Sequence, residues 1–174
     1  MNEQVHAPLA APEPSERIVH YVLSPLLPAG HTLAFNPALG TLSLLIYEQD
    51  EPRLIAEQQF TPSEVCVLRP LLVSYPHHCP YEVLHASFNS SPDTPVVDLT
   101  DKVVARSRKR LEMALDRGTW EDEMRPVRNV LSRTRLKLNQ MHIDVKSILE
   151  TGCILMPRRR DQRRNPEARI YAIS

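Results

Sequence analysis

Glycine is scarce in this chain, with 4 among 174 residues. A loop that cradles phosphate through its backbone needs several glycines close together. Neither GxGxxG nor GxxxxGK[ST] occurs, which argues against the common nucleotide-binding loops. HExxH and GxSxG are missing as well, and the scattered His and Ser cannot be paired by spacing into a nucleophile and its base. The expectation is a non-enzyme, with no catalytic residue, metal ligand or cofactor assigned. Aromatic residues make up only 5% of a chain that is 42% hydrophobic, so Leu, Val and Ile must fill the core. The three cysteines, Cys66, Cys79 and Cys153, are odd in number and lack CxxC spacing; they read as reduced thiols of a cytoplasmic protein. No apolar run approaches the roughly 20 residues that span a bilayer, and the N-terminus has no export pattern. No membrane partner is expected. His77-His78-Cys79 resembles part of a metal site, but one cluster without a matching pair reads as a polar loop.

Proline, by contrast, is plentiful at 16, which implies extended, punctuated connections. Charge is unevenly spread. Residues 1–100 hold 3 basic and 11 acidic side chains, net −8, whereas residues 101–174 hold 18 basic and 10 acidic, net +8. The split suggests a basic surface for a polyanion.

Along the chain, residues 1–16 are Pro- and Ala-rich and read as a flexible leader. Residues 17–60 contain short β-like runs, Ile18–Leu23, Thr32–Phe35, Thr41–Tyr47 and Arg53–Gln58, separated by turn signals. They predict a small antiparallel sheet. Alternation is weak in LSLLIY, so that strand is expected to be covered on both faces. Thr61-Pro62-Ser63-Glu64 is a capping box with Pro at the first helical position. The helix it opens should run to about Tyr75, kinked or broken at Pro70. A second short helix starts at Pro80. Asp101–Arg117 gives a charged helix whose apolar side is Val103, Val104, Leu111, Met113 and Leu115, ended by Gly118. Residues 119–124 form an acidic link.

From Pro126 to Leu138 runs a basic amphipathic helix. Val127, Val130, Leu131 and Leu138 take helix-face spacing opposite Arg128, Ser132, Arg133, Arg135 and Lys137. Two β-like runs follow, Ile143–Leu149 and Cys153–Met156, with Gly152 near their turn. A cationic helix followed by a hairpin suits DNA, the helix fitting the major groove. The 101–118 helix also carries Arg106, Arg108, Lys109 and Arg110, but no hairpin follows it directly. After Pro157 a basic tail, 158–174, carries six arginines.

These elements, in this order, resemble the OmpR/PhoB-type winged helix-turn-helix family of bacterial transcription regulators. The family's first helix opens with Leu-Thr-x-x-Glu and a Leu-Leu core; here Phe60-Thr61-Pro62-Ser63-Glu64 and Leu71-Leu72 stand in those places. Tyr81-Glu82-Val83-Leu84 is similar to the second helix, and Leu131-Ser132-Arg133-Thr134-Arg135-Leu136-Lys137-Leu138 to the recognition helix. Ser147-Ile148-Leu149-Glu150-Thr151-Gly152-Cys153-Ile154-Leu155 takes the place of the wing. The similarity covers roughly Thr32 to Met156. It implies an α+β winged helix-turn-helix over 61–157, with an N-terminal antiparallel sheet, a three-helix core, a C-terminal hairpin wing and a helical insertion at 92–124. It also implies a sequence-specific transcription regulator that binds double-stranded DNA through helix 126–138.

Under that resemblance Arg128, Asn129 and Ser132 are the candidates for base edges, since Arg and Asn suit guanine and adenine. Arg125, Arg133, Arg135, Lys137 and Lys146, with Arg158, Arg159 and Arg160, are the candidates for phosphates. The 92–124 insertion could meet RNA polymerase or another protein, and a homodimer is compatible with family habit. The chain departs from the family at the wing, where Glu150 replaces the first Gly and Cys153 the Tyr. It also lacks room in residues 1–60 for a receiver domain, so no phosphorylation switch is expected. The alternative is a winged-helix scaffold for protein–protein assembly, which the altered wing favours.

Overall fold

A computed structural model of the chain describes residues 18–49, 51–90 and 100–158. The expected leader 1–16, Arg159, Arg160 and the rest of the basic tail lie outside the described residues. The fold is mixed α+β. Strands β1 (Val19–Tyr21), β2 (His31–Asn36), β3 (Thr41–Glu48) and β4 (Glu51–Gln59) form an antiparallel meander in chain order. Helix α1 (Pro62–Ser74), strand β5 (Cys79–Pro80) and helices α2 (Tyr81–Asn89), α3 (Asp101–Asp116) and α4 (Trp120–Asn139) follow. Strands β6 (Ile143–Ile148) and β7 (Gly152–Pro157) come last among the described residues and belong to a second antiparallel sheet of order β5-β7-β6. Among the described residues no helix is long and apolar enough to cross a membrane.

In the first sheet, β2 and β3 are joined at Asn36–Gly40. The Asn36 carboxamide oxygen accepts from Ala38 N and Leu39 N, both at 3.1 Å. Gly40 takes φ +65, and its carbonyl accepts from Phe60 N at 2.7 Å. A Cβ there would strike the Phe60 carbonyl, so the first sheet and the start of α1 meet at a position only glycine fits. β3 is not covered on both faces as the sequence suggested. Leu42 and Leu44 are buried and their neighbours are half-buried, with an irregularity between Leu44 and Leu45 that blurs the alternation. Leu33, Phe35, Leu42 and Leu44 join a single core with Leu68, Leu71, Leu84, Val127, Ile143 and Leu155. The sheet therefore shares one hydrophobic interior with the helices.

At the N-terminus of α1 the capping box forms as its residues require. Thr61 N donates to Glu64 Oε2 at 2.8 Å, and Glu64 N to Thr61 Oγ1 at 3.4 Å. Of the two outcomes expected at Pro70, the break does not occur: the helix is continuous to Ser74. Buried Val67, Leu68, Leu71 and Leu72 surround the proline, and their packing offsets the hydrogen bond it lacks. α3 buries Ser107, Leu111 and Ala114, a stripe of 3.6-residue period. Met113 and Leu115 lie off it and are exposed, which corrects the apolar side read from sequence. Gly118, at φ +69, ends the helix as a left-handed cap.

The stretch 119–124 is not a link. Trp120 begins α4, and Glu121, Asp122 and Glu123 make its first turn. Acidic side chains there face the positive end of the helix dipole, a favourable arrangement. It lets the helix start six residues before Pro126. Below α4, β7 approaches β5 so closely that a Cβ on Gly152 would collide with the Cys79 carbonyl. The glycine is thus what allows the hairpin to pair with β5 and to lie against α1.

Candidate functional site

α4 buries Met124, Val127, Val130, Leu131, Thr134 and Leu138. The opposite face presents Arg125, Arg128, Asn129, Ser132, Arg133, Arg135 and Leu136 to solvent. The six-residue N-terminal extension of the helix supplies counter-charges for part of this face. Arg125 pairs with Asp122 and Arg128 with Glu121. All four side chains are exposed, so these pairs contribute little and exchange readily for other anions. Ser132 Oγ donates to the Arg128 carbonyl at 2.9 Å. Asn129 lies exposed beside them.

The cations nearer the C-terminus of α4 act as brackets. Lys137 Nζ donates to Glu64 Oε2 at 2.6 Å and to the Gln59 carbonyl at 2.7 Å, and it sits 5.3 Å from the centre of the Phe60 ring. Arg133 Nε approaches the other oxygen of Glu64 at 3.8 Å. Glu64 is almost wholly buried. Burial alone would raise its pKa, but the hydrogen bonds from Lys137 and Thr61 outweigh it and hold the carboxyl below its ordinary value. One carboxylate therefore caps α1 and fastens α4 to it.

A second bracket joins α4 to the hairpin. Arg135 donates from Nε to Asp144 Oδ1 at 2.6 Å and from Nη2 to Oδ2 at 3.3 Å. Asp144 Oδ1 also accepts from Val145 N at 2.9 Å, and Lys146 lies 3.0 Å from Oδ2. Burial pushes the Asp144 pKa up, yet Arg135 and Lys146 bring it below the usual carboxylate range. Arg158 Nη1 donates to the Asn139 carbonyl at 3.1 Å. Lys137 and Arg135, both expected at phosphates, are thus engaged in holding the fold, Lys137 half-buried and Arg135 still open to solvent. Arg125, Arg128, Asn129, Ser132 and Arg133 are exposed and make no such bracket to the hairpin.

Two features escaped the sequence. The first is a buried polar relay tying α3 to its neighbours. His85, on α2, has Nδ1 3.2 Å from Ser107 Oγ and Nε2 2.9 Å from Glu123 Oε1, and Arg110 Nε lies 2.6 Å from the same Glu123 oxygen. Burial opposes ionisation of Glu123, but His85 and Arg110 prevail and lower its pKa. Ser107 and His85 are shut off from solvent, so the array is an anchor and not a nucleophile with its base.

The second is a cleft of about 830 Å³ between α4, the α3–α4 turn and the hairpin. Tyr81, Leu131, Val145 and Cys153 form its apolar floor; Arg128, Ser132, Arg135 and Ser147 are at its mouth. Trp120 walls one side, edge-on to Tyr81 at 5.5 Å and 79°. The Arg128 guanidinium lies 4.8 Å over the Trp120 ring. Burial raises the pKa of Tyr81 and of the Cys153 thiol, keeping both neutral. Cys79, which the sequence grouped with two histidines, faces the core, and desolvation pushes its thiol up to about 12; a group so reluctant to ionise is a poor metal ligand. The single tryptophan at a helix start was the one available hint of this cleft.

Comparison of the chain with protein-family models, with curated proteins and with solved structures found no match.

Proposed function

We propose that the unit from α1 to β7 is a winged helix-turn-helix of the OmpR/PhoB type that binds double-stranded DNA as a transcription regulator. In this reading α4 is the recognition helix, β6–β7 the wing and α3 the insertion. The observation that carries it is the combination of topology and face. A long helix packed across α1 and α2 leads directly into a hairpin whose second strand pairs with the strand between those two helices, and its outward side carries Arg125, Arg128, Asn129, Ser132 and Arg133. Arg128, Asn129 and Ser132 have the donors and acceptors that base edges require. Arg125 and Arg133 suit phosphates: the Asp122 partner of Arg125 is exposed and competes weakly, and Arg133 stands 3.8 Å from a Glu64 carboxylate that Lys137 already holds.

A gel shift on mixed genomic fragments, titrated with salt, tests this. Binding should weaken as salt rises, and Arg133→Ala should lower the slope of log K against log salt by about 1, the share of one phosphate contact. Lys137→Met, assayed below its melting range, should leave the slope unchanged. Failure to bind even at low salt would remove the DNA reading.

A second reading, a scaffold for protein assembly, is favoured by the acidic first turn of α4. Glu121 and Asp122, exposed in that turn, would repel a polyanion drawn to the face of the helix. Salt-insensitive capture of a protein partner, without DNA binding, would be its signature.

A further inference from the structure

The cleft beside α4 has the size and make-up of a small-molecule site, with an apolar floor and a few convergent polar groups at its mouth. From it we infer that the protein binds a small aromatic carboxylate, with its ring against Trp120 and Tyr81 and its carboxylate on Arg128. The floor of Leu131, Val145 and Cys153 offers no buried charge and accepts a flat apolar body. The aromatic walls favour a ring, through edge or stacking contacts.

The anionic end is specified by Arg128. Its planar fork matches a carboxylate better than any point charge would. A carboxylate is already seated there, that of Glu121, while the guanidinium rests over Trp120. Glu121 is largely exposed, so it holds its place weakly and marks where a ligand's carboxylate would dock. Ser132 and Ser147 add hydroxyls at the mouth. Arg135 is committed to buried Asp144 and supplies positive potential without leaving its bracket. Glu150, at the hairpin tip, lines the outer rim; its charge disfavours anions with a second negative group.

Because Arg128 and Ser132 also belong to the face assigned to DNA, an occupied cleft would withdraw them from base edges. This consequence rests on the DNA reading, whereas the binding itself does not. The effector would then be sensed inside the DNA-binding unit.

Trp120 is the chain's single tryptophan, so its fluorescence reports occupancy without labelling. The full chain would be titrated with sodium benzoate and phenylacetate, with neutral benzamide and with acetate. The two arenecarboxylates should change the emission saturably in the millimolar range, as expected for ligands of so few atoms. Benzamide should bind about tenfold more weakly, since it forgoes a charge-assisted bond, and acetate should not saturate. Arg128→Gln should lose about tenfold in affinity and Glu121→Gln should gain, with calorimetry on each variant and circular dichroism to establish folding. Equal affinity for benzoate and benzamide, no gain in Glu121→Gln, or no saturation at all would overturn the inference. The gel shift is then repeated with benzoate. Release of DNA supports the competition; unaltered DNA binding at saturating benzoate overturns it. Ligand binding without any DNA binding would leave the cleft standing and dismiss the DNA reading.

Discussion

The Glu64–Lys137 bracket allows the most demanding test of how α4 is held. Replacing Lys137 by Met keeps the aliphatic stem over Phe60 and removes the charge, leaving a buried carboxylate without its main partner. Breaking a fully buried pair costs about 3–5 kcal/mol. Two features reduce that here. The Lys137 side chain is 28% exposed, and Glu64 keeps Thr61 N at 2.8 Å and Arg133 at 3.8 Å. A loss of about 2 kcal/mol is expected, or about 4–8 °C in Tm for a chain of this length. The sign with pH is fixed by the carboxyl. Its folded pKa lies below the ordinary 4.5, so its contribution is complete above that value and fades as pH falls through the lower, folded one. In Lys137→Met the stranded carboxylate gains from protonation. The gap between the two proteins should therefore be widest at pH 7 and should shrink as the pH falls below 4.5. Thermal unfolding followed by circular dichroism across that range measures it. A gap under about 0.5 kcal/mol at pH 7, within the scatter of an ordinary surface substitution, would refute the bracket. So would a gap that stays constant with pH.

Two further changes probe the same unit. The hydroxyl of Thr134 is fully buried and has no hydrogen-bond partner among the described residues, so Thr134→Val should stabilise by about 1 kcal/mol; a lower melting temperature would mean that the hydroxyl is satisfied. Glu150 holds φ +56 at the exposed hairpin tip, a conformation that costs a non-glycine residue about 1 kcal/mol. Glu150→Gly should recover about half of that after the extra freedom it gives the unfolded chain. Urea unfolding would read the gain, and equal or lower stability would show that the tip is unstrained.

Much of the fold was legible because local chemistry and global packing agree. Thr61-Pro62-Ser63-Glu64 announces the start of α1, the run from Val127 to Leu138 announces the buried stripe of α4, and Gly118 announces the end of α3. What misled the sequence reading was context. Residues 119–124 look like a linker because they carry three acids in succession, yet the helix dipole favours acids in a first turn. Met113 and Leu115 look like core residues because they are apolar, but the 3.6-residue period through Ser107, Leu111 and Ala114 excludes them. At the site, charge type was readable and charge partner was not. Nothing local to Lys137 or Arg135 reveals that their carboxylates lie 73 and 9 residues away. The cleft likewise depends on Tyr81, Trp120 and Cys153, which only the tertiary fold assembles.

The relay through His85 has a mechanical consequence. α3 connects to α4 through three residues, Arg117 to Thr119, and is tied through His85 to the same Glu123 that belongs to the first turn of α4. α3 and the opening of α4 are therefore geared together. A protein that grips the outer, basic side of α3 has purchase on the end of α4 where Trp120 and Glu121 stand. A torque applied to α3 reaches the first turn of α4, at the mouth of the cleft, through the Ser107–His85–Glu123 contacts.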